Sequence, residues 1–197
     1  MTPIRIAVLL SGGGTTLQNL IDRIADGRLA ARIVQVISDQ PDAYGLTRAR
    51  AANLSAAVVS RKECGNREEF GRRIFDLIRQ SQADLVCMAG FLQLLPIPDD
   101  FRGRVMNIHP ALLPAYGGKG MYGRRVHEAV LAAGENVSGC TVHFADNEYD
   151  HGPTILQRTV TVHSDDTPET LAARVFAQEC EAYPEAITLF AEGRIPG

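Results

Sequence analysis

The sequence has no long apolar run. Its longest uninterrupted stretches fall far short of the roughly 20 residues a membrane helix needs, so no membrane-spanning helix is expected. It also has no excess of positive charge. The 20 Lys and Arg against 23 Asp and Glu leave a formal charge of −3, which gives no basic field for nucleic acid. There is no Cys-x-x-Cys pair, and Cys64, Cys87, Cys140 and Cys180 are scattered singly along the chain, so neither a metal site nor a disulfide framework is expected. The glycines and prolines follow no short period, which excludes collagen-like chains, and 45% hydrophobic residues exclude disorder. The opening stretch MTPIRIAVLLSGGG is too short in its apolar part and too rich in glycine for a signal peptide. The expectation is a soluble, cytoplasmic protein of 197 residues, long enough for one well-buried core.

What is present alternates between two periods. Ile4–Leu10, Ile33–Ile37, Ala56–Val59 and Asp84–Ala89 read as apolar strands. Between them lie a helix carrying Leu17, Leu20, Ile21 and Ile24 on one face and stopped by Gly27, a helix near Gly45–Asn53, and an amphipathic helix Arg67–Gln80 with Phe70, Ile74, Leu77 and Ile78 aligned. Such alternation predicts an α/β fold: a three-layer, Rossmann-like, mostly parallel sheet with helices on both faces. After a further strand at Val105–His109 the pattern changes. A Gly-rich loop at Tyr116–Gly123 precedes a helix near Val126–Ala133. Val137–Asp146 and Thr154–His163 then form an antiparallel C-terminal pair, and Thr167 caps a helix from Pro168 to about Glu192. No linker interrupts the chain, so 1–197 reads as a single domain with halves at 1–100 and 101–197.

Three segments carry candidate chemistry, and in parallel sheets ligands sit at the carboxyl ends of strands. Ser11-Gly12-Gly13-Gly14-Thr15-Thr16 lies between the first strand and helix. Glycines admit a close backbone approach, and the helix N-terminus points free N–H groups at an anion. With no following Lys it is not a triphosphate loop, and it lacks the third glycine of the dinucleotide fingerprint. It suits a monophosphate, or simply a tight capped turn. In Met106-Asn107-Ile108-His109-Pro110, Asn107 and His109 sit two apart on a strand and project to one side, an amide and an imidazole suited to a developing oxyanion. Either residue alone is also a common structural group. Asp150-His151-Gly152-Pro153 offers a carboxylate that could pair with His109 and raise its pKa, or it is ordinary turn chemistry. Two weaker features are the apolar run Leu92, Gln93, Leu94 and Leu95, which fits a flat heteroaromatic ligand or the core, and Arg67, which fits a phosphate or solvent.

The glycine loop, Asn-Ile-His-Pro-x-Leu-Leu-Pro and Asp-x-Gly-Pro, in this order, resemble the phosphoribosylglycinamide formyltransferases, the folate-dependent transformylases of purine synthesis. The resemblance runs from Ile4 to about Gly193. It implies transfer of a formyl group from 10-formyltetrahydrofolate to the amine of glycinamide ribonucleotide, without a metal. It places the catalytic set on Asn107, His109 and Asp150. It puts the nucleotide phosphate at Gly13, Gly14, Thr15 and Thr16, and the glycinamide amine at Glu179. The folate falls at Arg67, Leu92, Gln93, Leu94 and Leu95 and on Asn147, Glu148 and Tyr149, with His143 near the site. Under this resemblance 1–100 is the nucleotide-binding half and 101–197 the catalytic and folate-binding half. The partners are small molecules, with no nucleic acid and no membrane, and the chain is a monomer or homodimer.

The chain departs from the family pattern in three places. Gly13 and Thr16 stand where many relatives carry Asn, Tyr116–Arg125 is slightly longer than in some members and suits a mobile lid, and His151 stands where a small residue is common. His151 is placed to compete with His109 for Asp150. Competing readings are a catalytically silent nucleotide-binding protein, formyltetrahydrofolate deformylase, which would add an N-terminal regulatory domain, and methionyl-tRNA formyltransferase, which would add a basic C-terminal RNA-binding domain.

Overall fold

The computed structural model describes residues 2–195, which fall into two compact units divided between Met106 and Asn107. In the first, β1 (Ile4–Leu10), β2 (Ala31–Ser38), β3 (Ala56–Val58) and β4 (Leu85–Met88) pair in parallel, β2 with β1 and β3, and β1 with β4. β4 is buried at every residue and β1 at all but Arg5, as expected of aliphatic strands in a sheet covered on both faces. Between the strands run α1 (Thr15–Ala25), α2 (Tyr44–Ala51) and α3 (Arg67–Gln80). The Asn66 side chain caps α3 by accepting the Glu69 N–H at 2.7 Å. The buried face of α3 is Phe70, Gly71, Ile74, Phe75 and Ile78, so Phe75 takes the place expected of Leu77. The reason is the ring of Phe101, which stacks at a tilt on Phe75 with centroids 4.9 Å apart.

β5 (Val105–His109) crosses the boundary between the units. The second unit holds its last three residues, α4 (Arg124–Ala132), the antiparallel pair β6 (Val137–Phe144) and β7 (Thr154–Thr161), and α5 (Pro168–Ala191). Thr167 and Thr170 cap α5 reciprocally, and the helix packs on β6 and β7 through Leu171, Val175, Tyr183 and Ile187. β6 ends at Phe144, two residues earlier than the apolar pattern suggests, because Asp146 turns back to accept the Glu148 N–H at 2.8 Å. The strand order is β3-β2-β1-β4-β5-β6-β7, a mostly parallel seven-stranded sheet with the expected antiparallel C-terminal pair. No helix among the described residues is long and apolar enough to cross a membrane.

Candidate active site

Asn107 and His109 are on the same face of β5, as their two-residue spacing requires, and both reach one carboxylate. Asn107 Nδ2 donates to Asp150 Oδ1 at 3.3 Å, and His109 Nδ1 lies 3.5 Å from Asp150 Oδ2. Asp150 is the last residue of the β6–β7 connection before His151 and has a positive φ of 53°, a left-handed backbone that Asp tolerates better than most residues. A backbone donor completes its shell: the Gly118 N–H reaches Oδ2 at 2.9 Å. Gly117 packs closely beside it: a Cβ there would lie 2.5 Å from Leu113 Cδ2, a methyl that would have to move, and 3.3 Å from Asp150 Cβ.

The fourth member is His143, on β6 and 1% exposed. Its Nδ1 faces the Phe144 carbonyl at 2.9 Å, and since a carbonyl only accepts, Nδ1 carries the proton. Nε2 therefore accepts from Asn107 Nδ2 at 3.1 Å. Both amide hydrogens of Asn107 are thus accounted for, one on an imidazole and one on a carboxylate. The resemblance places His143 only near the site; the geometry makes it a direct partner of Asn107.

His109 is 4% exposed, and its Nε2 meets the Tyr116 carbonyl at 2.8 Å. Tyr116 also has a positive φ, 56°, so the chain reverses there and aims its carbonyl inward. Both ring nitrogens face acceptors, an arrangement that favours an imidazolium. Burial nevertheless outweighs the Asp150 carboxylate and the Tyr116 carbonyl and holds the His109 pKa below its ordinary value. The expectation that pairing with Asp150 raises it is corrected: the pair pulls upward, but desolvation of a nearly inaccessible ring pulls harder. For Asp150 the balance reverses. Burial pushes its carboxyl up, but the charge of His109 and the Gly118 N–H hold it below the ordinary value.

Two further residues of this unit bear on the site. His127 on α4 is 4% exposed, its Nδ1 has no partner, and burial first, then the charge of His109, lowers its pKa. Periodicity marks it only as a helix residue. Glu179 on α5 keeps partial solvent access yet is surrounded by protein, and burial pushes its carboxyl up to about 7. The expected competition of His151 for Asp150 does not occur: its Nδ1 is 2.7 Å from Asp146 Oδ2 instead. Asn147, Glu148 and Tyr149 are exposed on the same connection.

In the first unit, Gly14 is the N-cap of α1, with φ 69°, and no side chain caps the helix and no acidic residue occupies its first turn. The loop is braced from α2. The Gly45 N–H donates to the Gly12 carbonyl at 3.0 Å, Arg48 Nε to the Gly13 carbonyl at 2.9 Å, and a Cβ on Gly14 would lie 2.6 Å from Gly45 Cα. Gly13 and Thr15 are exposed and Thr16 half-buried, so the helix start is open to an anion. Ser11 ties this loop to the segment after β4: its N–H donates to the Gly90 carbonyl at 3.0 Å, and its hydroxyl accepts the Leu92 N–H at 2.9 Å. In that segment Leu92 is exposed, Gln93 and Leu94 half-buried and Leu95 buried, and Gln93 Nε2 donates to the buried Asp39 at 3.0 Å. Arg67 is exposed at the first position of α3. Sequence reasoning included Ser11 in the glycine loop without its tie to Leu92, and gave no site role to Gly45 and Arg48; the close approach of Gly14 to Gly45 has no local signature. Among the described residues no group of three or more His, Cys, Asp or Glu is placed to hold a metal ion.

The family described as formyl transferase matches residues 4–187 of this chain. A phosphoribosylglycinamide formyltransferase of Haemophilus influenzae is 41% identical over 193 residues, which cover 97% of this chain and 89% of the relative. The bovine trifunctional purine biosynthetic protein adenosine-3 is 40% identical over 97% of this chain, which spans 19% of that longer protein. The crystal structure of glycinamide ribonucleotide transformylase 1 from Symbiobacterium toebii superposes with a TM-score of 0.92 at 44% identity, covering 100% of this chain and 92% of that one.

Proposed function

The chain belongs to the formyl transferase family, and from that membership we infer that its reaction is the transfer of a formyl group from 10-formyltetrahydrofolate to the amine of glycinamide ribonucleotide in purine synthesis. In this reading Asn107, His109 and Asp150 carry the chemistry. The amine attacks the formyl carbon, a C–N bond forms, and the carbonyl oxygen becomes an oxyanion; Asn107 meets it with the amide hydrogen it otherwise gives to Asp150 at 3.3 Å, and the His109 ring donates to it once protonated. Because burial keeps His109 below its ordinary pKa, the ring enters mostly neutral near pH 7 and takes up the proton that the amine loses. Asp150, ionised and 3.5 Å away, stabilises the imidazolium. Collapse breaks the bond to N10, which receives the proton through His109 or an intervening water. No Ser or Cys nucleophile accompanies the set, so transfer is direct.

Gly13, Gly14, Thr15 and Thr16 hold the nucleotide phosphate at the open start of α1, and Glu179 meets the glycinamide amine. Arg67, Leu92, Gln93, Leu94 and Leu95, with Asn147, Glu148 and Tyr149, hold the folate. Residues 1–100 form the nucleotide-binding half and 101–197 the catalytic half. The protein acts in the cytoplasm on small molecules, as monomer or homodimer, with neither nucleic acid nor membrane as partner.

The observation that carries the reading is one carboxylate approached by an amide and an imidazole from alternate positions of a single strand. The test is formyl transfer measured with the two named substrates. Wild-type protein is expected to turn over, and Asn107→Ala, His109→Ala and Asp150→Asn are each expected to lose on the order of 10²–10³ in kcat while remaining folded. Full activity of the His109 variant would sink the catalytic assignment.

A further inference from the structure

His151 is a residue the proposed reaction does not use. Its surroundings are organised. Asp146 uses one oxygen to accept the Glu148 N–H at 2.8 Å and the other to meet His151 Nδ1 at 2.7 Å, so a single carboxylate closes the segment 146–151 on itself. The base of that segment is fixed. The Phe144 N–H donates to the Pro153 carbonyl at 2.9 Å, and a Cβ on Gly152 would lie 2.0 Å from the Phe144 oxygen, so only glycine fits. Between the fixed base and the closed loop sits Asp150, directly before His151, with its left-handed φ of 53°. A non-glycine residue there persists only where its neighbours hold it.

We propose that the His151–Asp146 pair is a charge-dependent clasp, and that His151 is thereby a positioning residue that keeps Asp150 in the conformation from which its carboxylate reaches Asn107 and His109. This rests on the reading of Asp150 as catalytic. The groups that bear on the pair are Asp146, Glu148 and, on Asp146, the more distant His143. Asp146 first, by hydrogen bond and charge, and Glu148 next, raise the His151 pKa against slight burial. At Asp146 burial pushes upward, but His151 and the Glu148 N–H hold the carboxyl below its ordinary value. The clasp is therefore closed while His151 is protonated, and it loosens as pH rises through the raised His151 value. Both side chains are partly exposed, which limits the effect to a modest factor.

The experiment compares wild-type, His151→Ala, His151→Arg and Asp146→Asn proteins in formyl transfer from pH 6 to 9. His151→Ala is expected to lose about two- to fivefold in kcat at pH 6.5, with the ratio to wild type returning to one above the titration of His151. His151→Arg keeps a permanent cation opposite Asp146, so it matches wild type at pH 6.5 and exceeds it at pH 8.5. A ratio of one at every pH for His151→Ala, or a loss that is independent of pH and not rescued by Arg, overturns the clasp. NMR titration of the His151 ring, expected to move down toward the ordinary value in Asp146→Asn, reads the pair without reference to turnover. If Asp150→Asn is fully active while that titration behaves as expected, the catalytic reading of Asp150 fails and the positioning role fails with it. If Asp150→Asn is inactive and the His151 variants are silent, only the clasp fails.

Discussion

Glu179 offers the most exacting test of the energetics. Its carboxyl is held near 7 instead of the ordinary 4.5, and burial is the whole cause. Unfolded chains ionise this group near 4.5, so between 4.5 and 7 the native state holds more protons than the unfolded state. Stability therefore falls as pH rises through that window and stays reduced above it. At about 1.4 kcal/mol per pH unit, the penalty of the ionised form reaches up to about 3 kcal/mol at pH 8. Glu179→Gln keeps the shape and removes the charge. Its gain over wild type is expected to be nil below pH 4.5 and to approach that figure by pH 8, which for a chain of this size is a rise in Tm on the order of 6–12 °C. The assay is urea and thermal unfolding of both proteins from pH 4.5 to 9. The proposed contact with the glycinamide amine adds a second readout: glycinamide ribonucleotide raises the Tm of wild type and does so much less in the variant. A gain independent of pH would refute the burial argument, because a carboxyl that titrates normally has no reason to favour its amide analogue only at high pH.

Other outcomes follow from the same reasoning. Gly14→Ala forces a Cβ into the left-handed region and to 2.6 Å from Gly45 Cα, so it is expected to cost more than the roughly 1–2 kcal/mol of backbone strain and to weaken nucleotide binding, measured by calorimetry. His127 is buried with its pKa lowered, so the unfolded state binds its proton first as pH drops below 6.5. Stability is then lost on acidification, and His127→Gln is expected to flatten that decline in denaturant midpoints measured from pH 7 to 5. Ser11→Ala removes the acceptor of the Leu92 N–H that joins the glycine loop to the segment after β4. Ser11→Thr is expected to restore what the Ala variant loses in folate affinity, and equal loss in both variants would point to packing instead.

The elements and their order were legible in the residues because each is a local matter. Aliphatic runs such as Ile4–Leu10 can only be buried strands, 3.6-residue stripes such as that on α3 can only be helical faces, and Gly27 and Thr167 mark ends by their own backbone and side-chain chemistry. Alternation along β5 likewise determined that Asn107 and His109 share a side. What the linear pattern left open depends on groups far apart in the chain. His143 becomes the partner of Asn107, and His151 turns to Asp146 in place of Asp150, only once the β6–β7 connection closes; Gly45 and Arg48 brace a loop some 30 residues earlier. The protonation of His109 was the clearest case. A neighbouring carboxylate can be guessed from a motif, but the loss of water around a ring depends on every segment that covers it, and that sum exists only in the folded chain.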